Sequence, residues 1–201
     1  MLLDMELLKI TDESGESITG GSQDWFDDKW QRLSGCGPTT ASNIIWYMTK
    51  SDEKFSNLCA QNRTKADFVR LMESMFTYIT PGVRGVNRSS IFKEGLGKYL
   101  GDAGADFNIE VLDVPKVKKN RPDFQTAVDF IFSALQRKMP LAFLNLNNGD
   151  EADLDSWHWV TVIGASGQYV RILDRGKIFE MDFEKWLAST TLGGALVYIS
   201  A

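Results

Sequence analysis

The chain's only histidine, His158, stands sixteen residues before Asp174, and far upstream Cys36 sits in the run Gly35-Cys36-Gly37-Pro38-Thr39-Thr40. A thiol attacks a carbonyl only as thiolate, and a free pKa of ~8.5 leaves little thiolate at neutral pH. A helix N-terminus favours that anion, because peptide dipoles and unpaired N–H groups converge there. Cys36 directly precedes Gly37-Pro38 at the mouth of a predicted helix, and flanking glycines allow close approach of a substrate. An imidazole within hydrogen-bond reach of the thiol supplies the base. If Cys36 is a nucleophile, His158 is the only histidine available to serve it. Trp157 and Trp159 flank it, at the exit of a polar loop (NNGDEADLDSW) and the start of a strand pattern. A carboxylate that accepts from the imidazole fixes its tautomer. Asp174 is placed for this if strands 158–164 and 168–174 pair around the glycine-bearing turn 164–167 (GASG). Each residue also has a plainer reading: Cys36 as a small buried hydrophobe, His158 as a packing or surface residue, Asp174 as a turn former. Cys59, between Leu58 and Ala60, fits the buried-hydrophobe reading well.

These residues must be carried by a scaffold, and the periodicity describes one. Residues 1–30 are polar and glycine-dotted and read as a loosely structured lead-in, with Trp25, Phe26 and Trp30 packing on the body. Helices are expected over 39–49, where Ile44, Ile45 and Met48 share a face, and over 65–78, where Phe68, Leu71, Met72, Met75 and Phe76 recur at helical spacing. Further helices are expected over 89–100, capped by serine, and over 122–138, with Phe124, Val128, Ile131, Phe132 and Leu135 on one side. Strands are expected over 107–114, 141–146, 158–163, 169–173, 178–181 and 195–199, with a brief helix over 182–188. Helices followed by an antiparallel meander indicate an α+β fold.

Composition bounds the function. Two hundred and one residues, 43% hydrophobic and 24% charged, form one ordinary domain, read here as 1–201. A net charge of −5 argues against a nucleic-acid footprint, and the basic run 116–121 (KVKKNR) reads as a solvated loop. Two cysteines and one histidine cannot build a Cys/His zinc cage, and a Cys36–Cys59 disulfide is not expected across a helical spacer. Asp150, Glu151, Asp153 and Asp155 lack the turn glycine and closing glutamate of a calcium loop and read as solvated, or as lining a cleft that prefers basic groups. No cofactor or metal is expected. The N-terminus has no basic region ahead of an apolar one, and no run approaches the ~18 residues of a membrane span. The expectation is a cytoplasmic protein with a peptide or protein substrate, and neither nucleic acid nor membrane as partner.

The segment from Gly35 to Thr40 followed by an apolar helix resembles the catalytic segment of C39-like peptidases within the papain-like group. So does the later order, in which a strand follows Pro140, His158 opens another, and Asp174 comes sixteen residues on. The resemblance covers 31–50 and 139–199. It implies a papain-like fold, with a helical half carrying the cysteine against an antiparallel sheet carrying histidine and aspartate. It also implies peptidase chemistry and a glutamine shortly before the cysteine whose amide binds the oxyanion, a donor worth about 3 kcal/mol in a comparable site. Gln31 is the candidate and Gln23 the fallback, with the Cys36 N–H as second donor. Arg175 stands where that family commonly shows proline, and 52–114 exceeds a minimal domain of this kind. Two other readings stay open: an amide or isopeptide hydrolase or acyltransferase using the same triad, and a catalytically silent binding module.

Overall fold

The computed structural model describes residues 1–60, 62–105 and 107–200. A short hairpin, β1 (Lys9–Thr11) and β2 (Ser17–Thr19), leads into the helices α1 (Lys29–Ser34), α2 (Cys36–Ser51), α3 (Lys65–Tyr78) and α4 (Ser89–Asp102). Strand β3 (Asn108–Val114) and helix α5 (Phe124–Gln136) follow. The chain then runs β4 (Leu141–Asn145), β5 (His158–Ser166), β6 (Tyr169–Asp174), β7 (Lys177–Asp182), α6 (Phe183–Ser189) and β8 (Gly194–Ser200). Six strands form one antiparallel sheet in the order β3-β8-β4-β5-β6-β7. This is the expected α+β arrangement, a helical half against an antiparallel sheet.

Helix α2 is the axis of the helical half. Every residue from Cys36 to Thr49 is buried, because α2 packs on α3 on one side and on β4 and β5 on another. The polar side chains this buries find partners, as they must in a dry interior. Ser42 and Thr49 donate to the carbonyls one turn back, at 2.8 Å each. Asn43 accepts from the Gly21 N–H at 2.9 Å and donates to Thr161 on β5 at 3.0 Å, tying three regions together. Phe68 on α3 meets Trp46 of α2 edge-on at 5.2 Å.

Where structure and sequence pattern differ, hydrogen bonding explains it. The first thirty residues are built rather than loose: Leu8 and Ile10 are buried, the Trp46 indole donates to the Lys9 carbonyl, the Leu3 N–H donates to the Ile163 carbonyl on β5, and Met1 and Ala165 exchange bonds. Ser89 does not cap α4. It is the first helical residue, and its hydroxyl donates to Asp113 on β3 instead. In the basic run 116–121, Arg121 folds back onto the carbonyls of Pro115, Lys116 and Leu187. Among the described residues no helix is long and apolar enough to cross a membrane.

Candidate active site

Cys36 is the first residue of α2, and the preceding α1 is separated from it by Gly35 alone. The glycines on either side of it are dictated by packing. A Cβ on Gly35 would lie 2.4 Å from both the Gln31 carbonyl and the Phe26 ring, and one on Gly37 would press on Val86 at 3.1 Å. Pro38 lacks an N–H where a helix needs none, and the Thr39 N–H is taken by the Gly35 carbonyl. Cys36, in that first turn, is 7% exposed.

His158 opens β5, and its Nε2 lies 2.9 Å from Asp174 Oδ1. The pairing depends on a β-bulge. Near the turn, Ser166 faces Tyr169 and Gly164 faces Arg171. Continued unbroken, that register would set Asp174 against Thr161, on the face opposite to His158. The extra residue between Val162 and Gly164 shifts the register by one, so that Thr161 faces Leu173. The next step then sets Asp174 against Val160, two residues along from His158 on the same face. The expected glycine turn is therefore split in two: Gly164 belongs to the bulge, and the turn is made at Gly167-Gln168.

Burial drives the imidazole toward its neutral form, but hydrogen bonds and charge attraction from Asp174 and the Cys36 sulfur outweigh it and raise its pKa from 6.5 to about 9. With Nε2 on Asp174, Nδ1 is the ring nitrogen left for Cys36. Neighbouring aromatics clamp the strand: the Trp159 indole donates to the Val86 carbonyl and stacks on Phe92 at 4.4 Å. The structure thus brings Cys36, His158 and Asp174 together.

Gln31 is not part of this cluster. Five residues along a nearly continuous helix is roughly 140° of rotation, and Gln31 lies on α1 half-exposed, lining neither cavity that touches Cys36. Gln23 is the glutamine that lies beside Cys36. It is buried, donates from Nε2 to the Arg32 carbonyl at 2.7 Å, and lines a small cavity of about 10 Å³ together with Cys36 and Asp174. In the same cavity Thr39 presents a buried hydroxyl with no hydrogen-bond partner among the described residues. Gln23 carries little local signal, because it stands thirteen positions before Cys36 in a segment with no helical or strand signature.

Two of the four acids in the loop before His158 are engaged in internal pairing. Asp155 accepts from Arg175 at 3.1 Å, Glu151 pairs with Lys185 at 2.9 Å, and the Asn145 amide holds the Asp155 carbonyl at 2.7 Å. None of the four acids lines a cavity beside Cys36, which removes the ground for a preference for basic groups. Ligand atoms of Asp155, His158 and Asp174 lie within 4.8 Å of one another. That spacing suits a cation, but Arg175 already supplies the positive charge there. A cavity of about 650 Å³ between the N-terminal residues and α5 touches none of these groups.

No family model matches the chain. No curated protein matches it either. Solved structures do. The chain is similar to the peptidase domain of Streptococcus ComA, a bi-functional ABC transporter of a quorum-sensing pathway, at 13% identity over 84% of this chain and 92% of that one, with a TM-score of 0.45. It is similar to a structure described as a C39-like peptidase from Bacillus anthracis, at 13% identity over 90% and 94%, TM-score 0.47. A third is a double glycine motif protease from an AMS/PCAT transporter in complex with the leader peptide, at 15% identity over 83% and 84%, TM-score 0.42. At such distances the chemistry has to be read from this chain's own side chains.

Proposed function

We propose that the chain is a cysteine peptidase that cleaves a peptide or related amide bond through a thioester. The observation that carries the reading is the buried His158 ring, held at one nitrogen by Asp174 and turned with the other toward a cysteine at a helix N-terminus. The raised pKa of His158 lets the ring hold a proton beside that sulfur, the positive neighbour that activates a cysteine nucleophile.

In this mechanism the Cys36 thiolate adds to the carbonyl carbon and the carbonyl electrons move to oxygen. The Cys36 N–H and the second Nε2 hydrogen of Gln23 stabilise that oxyanion. The oxyanion collapses, the C–N bond breaks, and His158 gives its proton to the leaving amine, which leaves a thioester. His158 then takes a proton from water, the resulting hydroxide equivalent adds to the thioester, and the acid departs as the thiolate and imidazolium are restored. Asp174 keeps Nε2 protonated and the ring in place throughout. An acceptor amine in place of water would give transfer by the same steps. The test is hydrolysis of a mixed peptide library with mass-spectrometric detection of an acyl adduct on Cys36. An adduct on Cys36, absent in Cys36→Ala, is expected. Cleavage unaffected by Cys36→Ala would overturn the reading.

A further inference from the structure

Four of the nine large hydrophobic side chains exposed among the described residues gather round one cleft: Trp30, Leu33, Val83 and Trp157. Single exposed apolar residues need no explanation, whereas several in one place mark a binding surface. The cleft has a volume of about 370 Å³, and Cys36 lies in its lining. Two features show that these side chains are held there at a cost. Val83 is 95% exposed at the tip of a turn closed by reciprocal backbone bonds between Gly82 and Gly85. Trp157 has φ 58, a left-handed backbone that bulky L-residues seldom adopt. Arg175 also has positive φ, but with Gly176 it makes the tight two-residue turn from β6 to β7, where that conformation is required. Trp157, at the end of a turn before β5 rather than in a two-residue hairpin, presents from that left-handed backbone a half-exposed indole to the cleft beside His158.

The cleft's one charge is a cation. Arg84 sits beside Val83 on the turn tip, exposed, with no ion pair among the described residues. We propose that this cleft binds a large apolar side chain of the substrate next to the scissile bond, that Arg84 holds an acidic group beside it, and that Trp157 sets the apolar preference. The proposal rests on the peptidase reading of the same site and names the substrate class for it.

The test is calorimetric titration of the Cys36→Ala protein with blocked peptides carrying Phe-Asp, Phe-Lys or Gly-Asp. Phe-Asp is expected to bind about tenfold or more tighter than either of the others, the scale of discrimination an apolar pocket and one charge supply. Trp157→Gly should erase the preference for Phe over Gly while the Tm stays level or rises, because glycine relieves the left-handed backbone. Arg84→Glu, on an exposed turn, should invert the Asp-over-Lys preference. Equal affinities for the three peptides would overturn the proposal. So would a Trp157→Gly protein that loses stability yet keeps its preference. Alkylation of Cys36 in the parent chain separates the two readings: a reactive Cys36 without peptide preference sinks the subsite alone, and a preference with an inert Cys36 sinks the hydrolase alone.

Discussion

Cys36 and Cys59 are the same residue in two opposite settings, and no disulfide joins them. Cys59 lies half-buried in a bend before α3, 3.2 Å from the Thr49 hydroxyl, where burial raises its pKa above the ordinary thiol value. Cys36 is the more buried of the two, yet it sits at the start of a sixteen-residue helix, facing the one imidazole of the chain. Burial therefore does not decide which thiol reacts. The two settings differ in what faces the sulfur: a helix N-terminus and the His158 imidazole at Cys36, the Thr49 hydroxyl together with the Arg63 and Lys50 charges at Cys59.

The sharpest way to break this contrast is to remove the nucleophile or its partner. Cys36→Ala or His158→Ala should lower peptide hydrolysis by about 10³-fold or more, whereas Cys59→Ala should leave the rate essentially unchanged. Asp174→Asn should cost on the order of 10²–10⁴-fold in kcat, because an amide no longer enforces the required tautomer. A pH titration of His158 by NMR should then fall below about 9. Gln23→Ala should lower kcat by roughly 10²-fold, the scale of one lost oxyanion donor, and Gln31→Ala should not. The smallest effect is on stability. His158 titrates higher in the folded chain than its ordinary 6.5, so its contribution is complete below pH 6.5 and fades as pH rises through about 9. Denaturant unfolding should show that decline in the parent chain and its absence in His158→Ala. Hydrolysis should fall over the same alkaline range.

The contrast between the cysteines was largely legible in the sequence, because it rests on local signals. A glycine-flanked cysteine before a proline and an apolar run marks a helix mouth, and the helix expected over 65–78 is found at Lys65–Tyr78. The strands of the sheet half were legible from alternation and turn residues in the same way, but not their order, because β8 inserts between β3 and β4 instead of continuing the meander. What stayed hidden depends on distant pairing. The bulge that brings Asp174 to the face of His158 leaves no mark in the alternation of β5, which is buried on both faces from His158 to Ala165. Helix α1 is too short for a periodic pattern, and without it nearness in sequence favours Gln31 over Gln23. The order of the first thirty residues comes from bonds to β5, to α2 and to Arg63 before α3, with partners 22 to 164 residues away.

The most direct measurement is the rate of iodoacetamide labelling at each cysteine against pH, located by mass spectrometry, in the parent chain and in His158→Ala. Fast labelling of Cys36 well below pH ~8, lost with the histidine and never seen at Cys59, is the expected result. Slow labelling of both thiols, indifferent to His158, would contradict the claim that the Cys36 region alone sustains a thiolate.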